Sequence, residues 1–217
     1  MAARAGTLGI MSTTTGQVSP VAFAPVPGDG AEAPNDLDAM AITSQVVRSF
    51  VFVDLCGFTA FTDRRGPHAA GFALTTFRRV VRDVSDRRNV RVAKWMGDGA
   101  MLVGVDPAPA VALAVDVVGR IIDPELSACA GVTTGPVLMF DGGDYVGRMV
   151  NMASRLCDMA APGEVLAEGR SLEHIPDWVT VAPYRAVSVK GIGRVDTVRR
   201  LHAPAGLFTS SVRLTDS

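Results

Sequence analysis

Ser-Phe-Val-Phe-Val-Asp-Leu-Cys-Gly-Phe-Thr, residues 49–59, is an apolar run that ends on an acid and a glycine. In a half-buried strand successive side chains point to opposite faces, so Asp54 shares a face with Phe50 and Phe52 and emerges where the strand gives way to a loop. A second acid sits in Lys-Trp-Met-Gly-Asp-Gly-Ala-Met-Leu, residues 94–102. There Asp98 occupies a Gly-Asp-Gly turn between the apolar runs Val90 to Met96 and Ala100 to Val105, a short-range signature of a hairpin. If strand and hairpin are neighbours in one sheet, Asp54 and Asp98 converge at one edge. Carboxylates that close repel each other unless a cation lies between them, and hard oxygen ligands favour Mg²⁺ or Mn²⁺.

Outward from these two stretches, the pattern over residues 45–205 alternates strand and helix. Phe50 to Leu55 predicts a strand, and Ala69 to Val84 a helix with Phe72, Leu74, Phe77 and Val80 or Val81 inward. After the hairpin, Pro107 to Ile122 predicts a second helix, with Asp106 as N-cap and Pro107 just inside it. Cys129 to Phe140 reads as a strand pair or a bent strand, followed by a Gly142-Gly143 loop. Gly147 to Met159 predicts a third helix, stopped by Ala161-Pro162-Gly163. Val165 to Ala167, Val181 to Lys190 and Thr197 to Leu201 are shorter strand candidates. This order implies an α+β fold with helices on one face of the sheet.

The chain has 217 residues, suited to one domain with appended segments. Residues 1–44 are rich in Ala, Gly, Pro, Ser and Thr and show no sustained period, so a disordered segment is expected there. The apolar run Gly6 to Met11 is too short for a signal peptide, and residues 206–217 read as a C-terminal tail. A net charge of −1 gives no electrostatic reason to expect nucleic acid or an anionic membrane as partner. Asp116 and Arg120 interrupt the best candidate for a membrane span, so a soluble, cytoplasmic protein is expected. Cys56, Cys129 and Cys157 form no CxxC pair and leave one thiol over, which argues against a disulfide framework; Cys56 reads as a small apolar filler.

On the third helix, Met149, Val150, Ala153, Leu156 and Cys157 form one apolar arc, while Asn151 and Arg155 fall together on the other side. Such a face is ordinarily just solvated. The preceding Asp144-Tyr145-Val146-Gly147 adds an acid and a glycine where the backbone passes close to something. Composition singles out two further positions: of 21 basic residues 19 are arginine, and the two lysines are Lys94 and Lys190. A compact ammonium and a planar guanidinium are not interchangeable at a snug site, which points to both lysines as candidates for ligand contact.

Three motifs, Phe-Val-Asp-Leu-Cys-Gly-Phe-Thr (52–59), Lys-Trp-Met-Gly-Asp-Gly-Ala-Met (94–101) and Asp-Tyr-Val-Gly-Arg-Met-Val-Asn-Met-Ala-Ser-Arg-Leu (144–156), followed by Val-Lys-Gly-Ile-Gly (189–193), resemble in this order the catalytic domain of class III nucleotidyl cyclases. The similarity covers about residues 48–203. It implies a ferredoxin-like βαββαβ palm with a mainly antiparallel sheet, assembled as a head-to-tail homodimer. It implies further that Asp54, Asp98 and the backbone carbonyl of Leu55 bind two divalent cations, Mg²⁺ or Mn²⁺. Lys94 and Asp144 would read the adenine edge of ATP, Asn151 would orient the ribose, and Arg155 would stabilise charge on the α-phosphate. Lys190 would hold the terminal phosphates, which the Cys56 to Thr59 loop, including Gly57, Phe58 and Thr59, would wrap with N–H groups. In the family the metal carboxylates come from one protomer and the base-reading, Asn and Arg groups from the other, which gives the outward-facing Asn151 and Arg155 a purpose.

The activity so implied is that of an adenylate cyclase forming 3′,5′-cyclic AMP and pyrophosphate. Guanylate cyclase is the alternative within the same chemistry, since guanine presents the reverse donor and acceptor pattern to residues 94 and 144. A catalytically weak cyclase-like dimer that binds nucleotide for regulation is a second alternative, though no metal or transition-state group is missing. The turn at Asp98 lacks the Gly-Gly-Glu-Glu-Phe signature of diguanylate cyclases, and no basic nucleic-acid channel is evident. The interval between Asp98 and Asp144 is short beside many relatives, which predicts a weak dimer whose specific activity rises with concentration.

Overall fold

The computed structural model describes residues 44–140, 143–208 and 211–215; the predicted disordered segment, Ser44 apart, lies outside them. The chain runs β1 (Ser44–Cys56), α1 (Phe58–Arg88), β2 (Arg91–Met96), β3 (Gly99–Gly104), α2 (Pro107–Arg120), β4 (Ser127–Met139), β5 (Tyr145–Val146), α3 (Arg148–Met159), β6 (Val165–Gly169), a 3₁₀ turn, then β7 (Thr180–Pro183), β8 (Val187–Val189), β9 (Gly193–Val195) and β10 (Arg199–His202). The main sheet has the order β2-β3-β1-β4-β6-β10-β7, with β5 on β4, while β8 and β9 form a separate hairpin. The first four strands with α1 and α2 make the ferredoxin-like βαββαβ unit. Neighbouring strands pair antiparallel except β4 with β6. The sheet is thus mainly antiparallel, as expected.

The period of two in β1 decides what each face receives. Val51, Val53 and Leu55 enter the large core beneath α1 and α2, with Ala100, Leu102, Ala128, Ala130 and Val132. Phe50 and Phe52 lie on the opposite face with Met101, Val103, Val137 and Tyr145. The strand starts at Ser44, six residues earlier than its apolar run predicts, because Ser44 pairs with Met139 and the ladder with β4 continues to Cys56 with Ser127. Backbone pairing there needs no apolar side chains. Cys129 to Phe140 resolves as one long strand, not a pair.

The two helices of the βαββαβ unit cover one face, but α3 lies on the other. It seats on β4 because Gly131 and Gly135 lack side chains. A Cβ at Gly131 would fall 2.1 Å from the Ala153 carbonyl oxygen, and one at Gly135 would fall 2.9 Å from Met149. The Thr133 hydroxyl donates to the Met149 carbonyl at 2.7 Å, tying the helix to the strand. The buried arc of α3 is Met152, Ala153, Leu156 and Cys157, with Met149 and Val150 only half-buried. Met152 is drawn inward by a second cluster in which it meets Leu156, Leu166 and the β8–β9 valines.

Helix α1 begins eleven residues before its predicted start and bends at Gly66, whose backbone is non-helical, followed by Pro67. Its buried stripe is Ala70, Ala73, Phe77, Val80, Val81 and Val84; Phe72, predicted inward, is 46% exposed, one step off that stripe. Asp106 stands at the N-cap of α2 with Pro107 behind it, but its side chain makes no capping bond. Asp116, which breaks the apolar run of α2, is buried and paired with Arg88 at 3.0 Å and with Arg120. The segment read as a C-terminal tail docks at residues 211–215: Leu214 is fully buried, and Asp123 accepts the Leu214 and Thr215 amides at 2.9 Å each. No helix among the described residues is long and apolar enough to cross a membrane.

Candidate active site

Asp54 and Asp98 converge as the sequence predicts. They line one cavity of about 210 Å³ together with Phe52, Met96, Gly99, Ser154, Cys157 and Asp158. The hairpin achieves this by its register. Met96 pairs with Gly99, leaving Gly97 and Asp98 as the two-residue turn, with Gly97 in the left-handed region at φ +63°. Gly99 is required for a second reason: a Cβ there would lie 2.7 Å from Asp54 Oδ1 and 3.0 Å from the Val53 carbonyl. The hairpin therefore closes onto the end of β1 without obstruction.

The carboxyl of Asp54 is pushed up to about 6, first by burial and then by the neighbouring charge of Asp98, with Asp158 adding to it and the Leu55 amide opposing. An acid so placed gains from a cation. The donor set is hard oxygen, which fits Mg²⁺ or Mn²⁺. Among the described residues no cluster of three or more His, Cys, Asp or Glu side chains forms a closed metal cage. Any ion at this pair would draw further ligands from backbone or substrate.

The remaining predicted residues do not line this cavity in the single protomer. Gly57, at φ +81°, begins α1, so the Phe58 and Thr59 amides belong to a helix N-terminus, where amides point outward without intrahelical partners. Leu55 buries its side chain in the core while its backbone adjoins the Asp54 carboxylate. Lys94 reaches the α3-side face by a β-bulge. The pairing passes from Val92 with Leu102 directly to Lys94 with Met101, skipping Ala93. Strict alternation from Val92 would set Lys94 beneath α1; the extra residue turns it onto the face of Met101 and Phe52, and sends Trp95 toward α1 instead. Asp144 is exposed just before β5, its carbonyl bonded by the Phe140 amide at 2.9 Å. Lys190 is exposed at the tip of the β8–β9 hairpin, outside the main sheet.

Asn151 and Arg155 are exposed on α3 and do not line the cavity of the acids, although Ser154, Cys157 and Asp158 of the same helix do. Arg155 meets Asp158 at 3.0 Å, an exposed pair of small energetic value. The structure adds two residues that sequence reasoning did not single out. Asp158 brings a third carboxylate to the cavity wall; its spacing three after Arg155 was the available signal. Arg78 of α1 donates to the Gly97 carbonyl at 3.1 Å and lies 5.1 Å from the centre of the Trp95 ring, with Arg82 at 5.3 Å. It thereby holds the turn that carries Asp98. The thiols of Cys56, Cys129 and Cys157 are free, and hydrogen bonding and burial hold Cys56 and Cys129 in the protonated form, consistent with filler roles.

No protein-family profile matches the chain. Among curated proteins, an uncharacterized protein of Mycobacterium tuberculosis (strain H37Rv) is 37% identical over 153 residues, 70% of this chain and 40% of that protein. A pH-sensitive adenylate cyclase of M. tuberculosis (strain CDC 1551) is 32% identical over 162 residues, 69% of this chain and 40% of that one. The chain thus spans about 40% of the length of these relatives. Among solved structures, the guanylate cyclase domain of RhGC from Catenaria anguillulae in complex with GTP superposes with a TM-score of 0.66 at 21% identity, covering 74% of this chain and 99% of that one. The adenylyl cyclase CyaB from P. aeruginosa gives 0.65 at 20% identity, covering 73% and 94%. The chain has the fold of the class III nucleotidyl cyclase catalytic domain.

Proposed function

We propose that this is the catalytic domain of an adenylate cyclase, converting ATP to 3′,5′-cyclic AMP and pyrophosphate at composite sites of a head-to-tail homodimer. The supporting observation is a division within one chain. Asp54 and Asp98 share a cavity, while Asn151 and Arg155 stand exposed on α3 outside its lining. On this proposal they complete the cavity of the second copy, and a lone protomer is inactive for geometric reasons.

Asp54, Asp98 and the Leu55 carbonyl would hold two divalent cations, Mg²⁺ or Mn²⁺. When bound, the cations lower the pKa of the ribose 3′-hydroxyl and offset charge on the attacking and leaving oxygens. The 3′-oxygen forms a bond to the α-phosphorus as the bond to the bridging oxygen breaks. Pyrophosphate leaves with the electron pair, and the hydroxyl proton passes to solvent. Arg155 offers a donor fork to the α-phosphate, where charge grows. Asn151 fixes the ribose, supplying orientation. The helix-terminal amides of Phe58 and Thr59, with Gly57 and Lys190, receive the outer phosphates.

The choice of base rests on residues 94 and 144. Lys94 donates to adenine N1, and the Asp144 carboxylate accepts from the 6-amino group. The fold itself is shared with a guanylate cyclase domain, so these side chains are what favours ATP over GTP.

The test is complementation. Asp54→Ala and Arg155→Ala proteins are each expected to be inactive with ATP and Mn²⁺, and their mixture to regain cyclic AMP formation through one intact composite site. Mixed dimers that stay inactive would sink the composite site, and cyclic GMP as the main product would reassign the base.

A further inference from the structure

The same sheet face that carries Asp54 at one end carries arginines at the other. Arg48 precedes Asp54 by six residues on β1, a separation of roughly 20 Å along a strand. It lines a cavity of about 640 Å³ with Arg82, Arg91, Asp86, Asn89 and Tyr145 among its walls. Arginines of this fold divide between those that meet carboxylates, such as Arg65 with Glu125 and Arg88 and Arg120 with Asp116, and those that bond backbone carbonyls, such as Arg78 and Arg87; what sets this cavity apart is that three guanidiniums gather in one lining. At this cavity, among the described residues, Arg48, Arg82 and Arg91 form no ion pair. Arg48 donates to the neighbouring Val47 carbonyl at 2.8 Å, and Arg82 lies over the Trp95 ring. Asp86 is the carboxylate of the lining, so the three arginines leave a surplus of positive charge in a chain whose net charge is −1.

We propose that this cavity binds a small polyanion, a molecule bearing two or more phosphate or carboxylate groups, at a site separate from the acid pair. Guanidinium forks match both oxyanions bidentately, and the volume falls in the range of small-molecule sites. The cavity also touches the segment that leads to α3. Arg91 Nη2 is 3.8 Å from the Cβ position of Gly143, and Tyr145 is part of the wall. Asp144 lies between those two residues. An anion that gathers Arg48 and Arg91 therefore fixes the backbone on both sides of Asp144, which makes the site suited to an effector.

The proposal is independent of the cyclase assignment and is tested by binding alone. The full chain is titrated calorimetrically in metal-free, chelator-containing buffer at fixed ionic strength, with inorganic pyrophosphate in one arm and citrate in the other. At least one anion is expected to bind, and Arg48→Gln with Arg91→Gln is expected to weaken it by about tenfold or more. Lys190→Ala should leave that affinity unchanged. The arm that binds more tightly assigns phosphate or carboxylate. No heat from either anion up to millimolar concentration, or an affinity that follows Lys190 and ignores the arginines, overturns the site. If the double variant does not melt cooperatively, Arg82→Gln takes its place with the same two outcomes.

Discussion

Beneath α1 and α2, strand β1 contributes Val51, Val53 and Leu55 to a closed apolar core; on the other face the same strand presents Arg48, Phe50, Phe52 and Asp54. Adjacent residues of one strand therefore do unlike work. The face under α1 and α2 holds the larger core, while the α3 face buries Phe50 completely as well; each large apolar side chain so buried contributes about 1.5–3 kcal/mol. The α3 face carries an acid whose burial works against it and, in Arg48 and Arg91, guanidiniums that form no ion pair among the described residues. Segregation by the strand period keeps these unfavourable groups out of the larger core and confines them to the two ends of the second face.

Substitutions on either side of this divide should separate most sharply. Asp54→Ala is expected to drop product formation to background while leaving the melting temperature unchanged or raised. Val53→Asp, one residue away, should prevent cooperative folding, since it buries an unpaired charge under α1. Activity with ATP and Mn²⁺, read beside thermal unfolding, distinguishes them. An Asp54→Ala protein that keeps its activity, or a Val53→Asp protein that folds normally, would abolish the division of labour.

The same contrast governs what was legible beforehand. Asp54 and Asp98 could be placed because alternation and a Gly-Asp-Gly turn are local signals that fix the face and the end of a strand. The outward direction of Asn151 and Arg155 was likewise set by helix period. The bulge at Ala93 was invisible, since one extra residue in a ladder leaves no mark on composition, yet it determines which face Lys94 joins. Phe72 stands outward because the buried stripe of its helix runs through alanines, so apolar character there does not mark the inward face. The placement of α3 depends on Gly131 and Gly135, glycines whose meaning appears only when a helix is laid across them. Arg78 looks like any helical arginine until the hairpin folds over it.

Arg78 links the two faces, reaching from the helix layer to the turn of Asp98. Arg78→Met keeps the aliphatic stem but removes the donor to Gly97 and the cation beside Trp95. The expected cost is about 1–2 kcal/mol of stability, with activity lowered about tenfold and the apparent metal requirement raised, since the turn is held less firmly. Arg79→Met, exposed one position along, should change neither. Equal effects from the two would mean that Arg78 contributes only general helix stability. A metal titration of the rate is the readout, because a merely structural loss would lower activity without moving the metal midpoint.

The smallest expected effect concerns the strain at Asp54 itself. Its carboxyl titrates at about 6 in the fold against an ordinary 3.8, chiefly through burial and then through Asp98. The native state therefore holds that proton more tightly than the unfolded chain does. The stability this gives is present in full below the ordinary value and is lost as pH rises through about 6. Asp54→Asn carries no such loss. In metal-free buffer the variant should melt above wild type by roughly a few °C at pH 8, and the two should approach each other toward pH 4. Adding Mn²⁺ at pH 8 should narrow the gap from the other side, because it raises the wild-type melting temperature while the asparagine variant gains less. Parallel melting curves across this range, with and without Mn²⁺, would show that Asp54 is neither strained by its surroundings nor relieved by a cation.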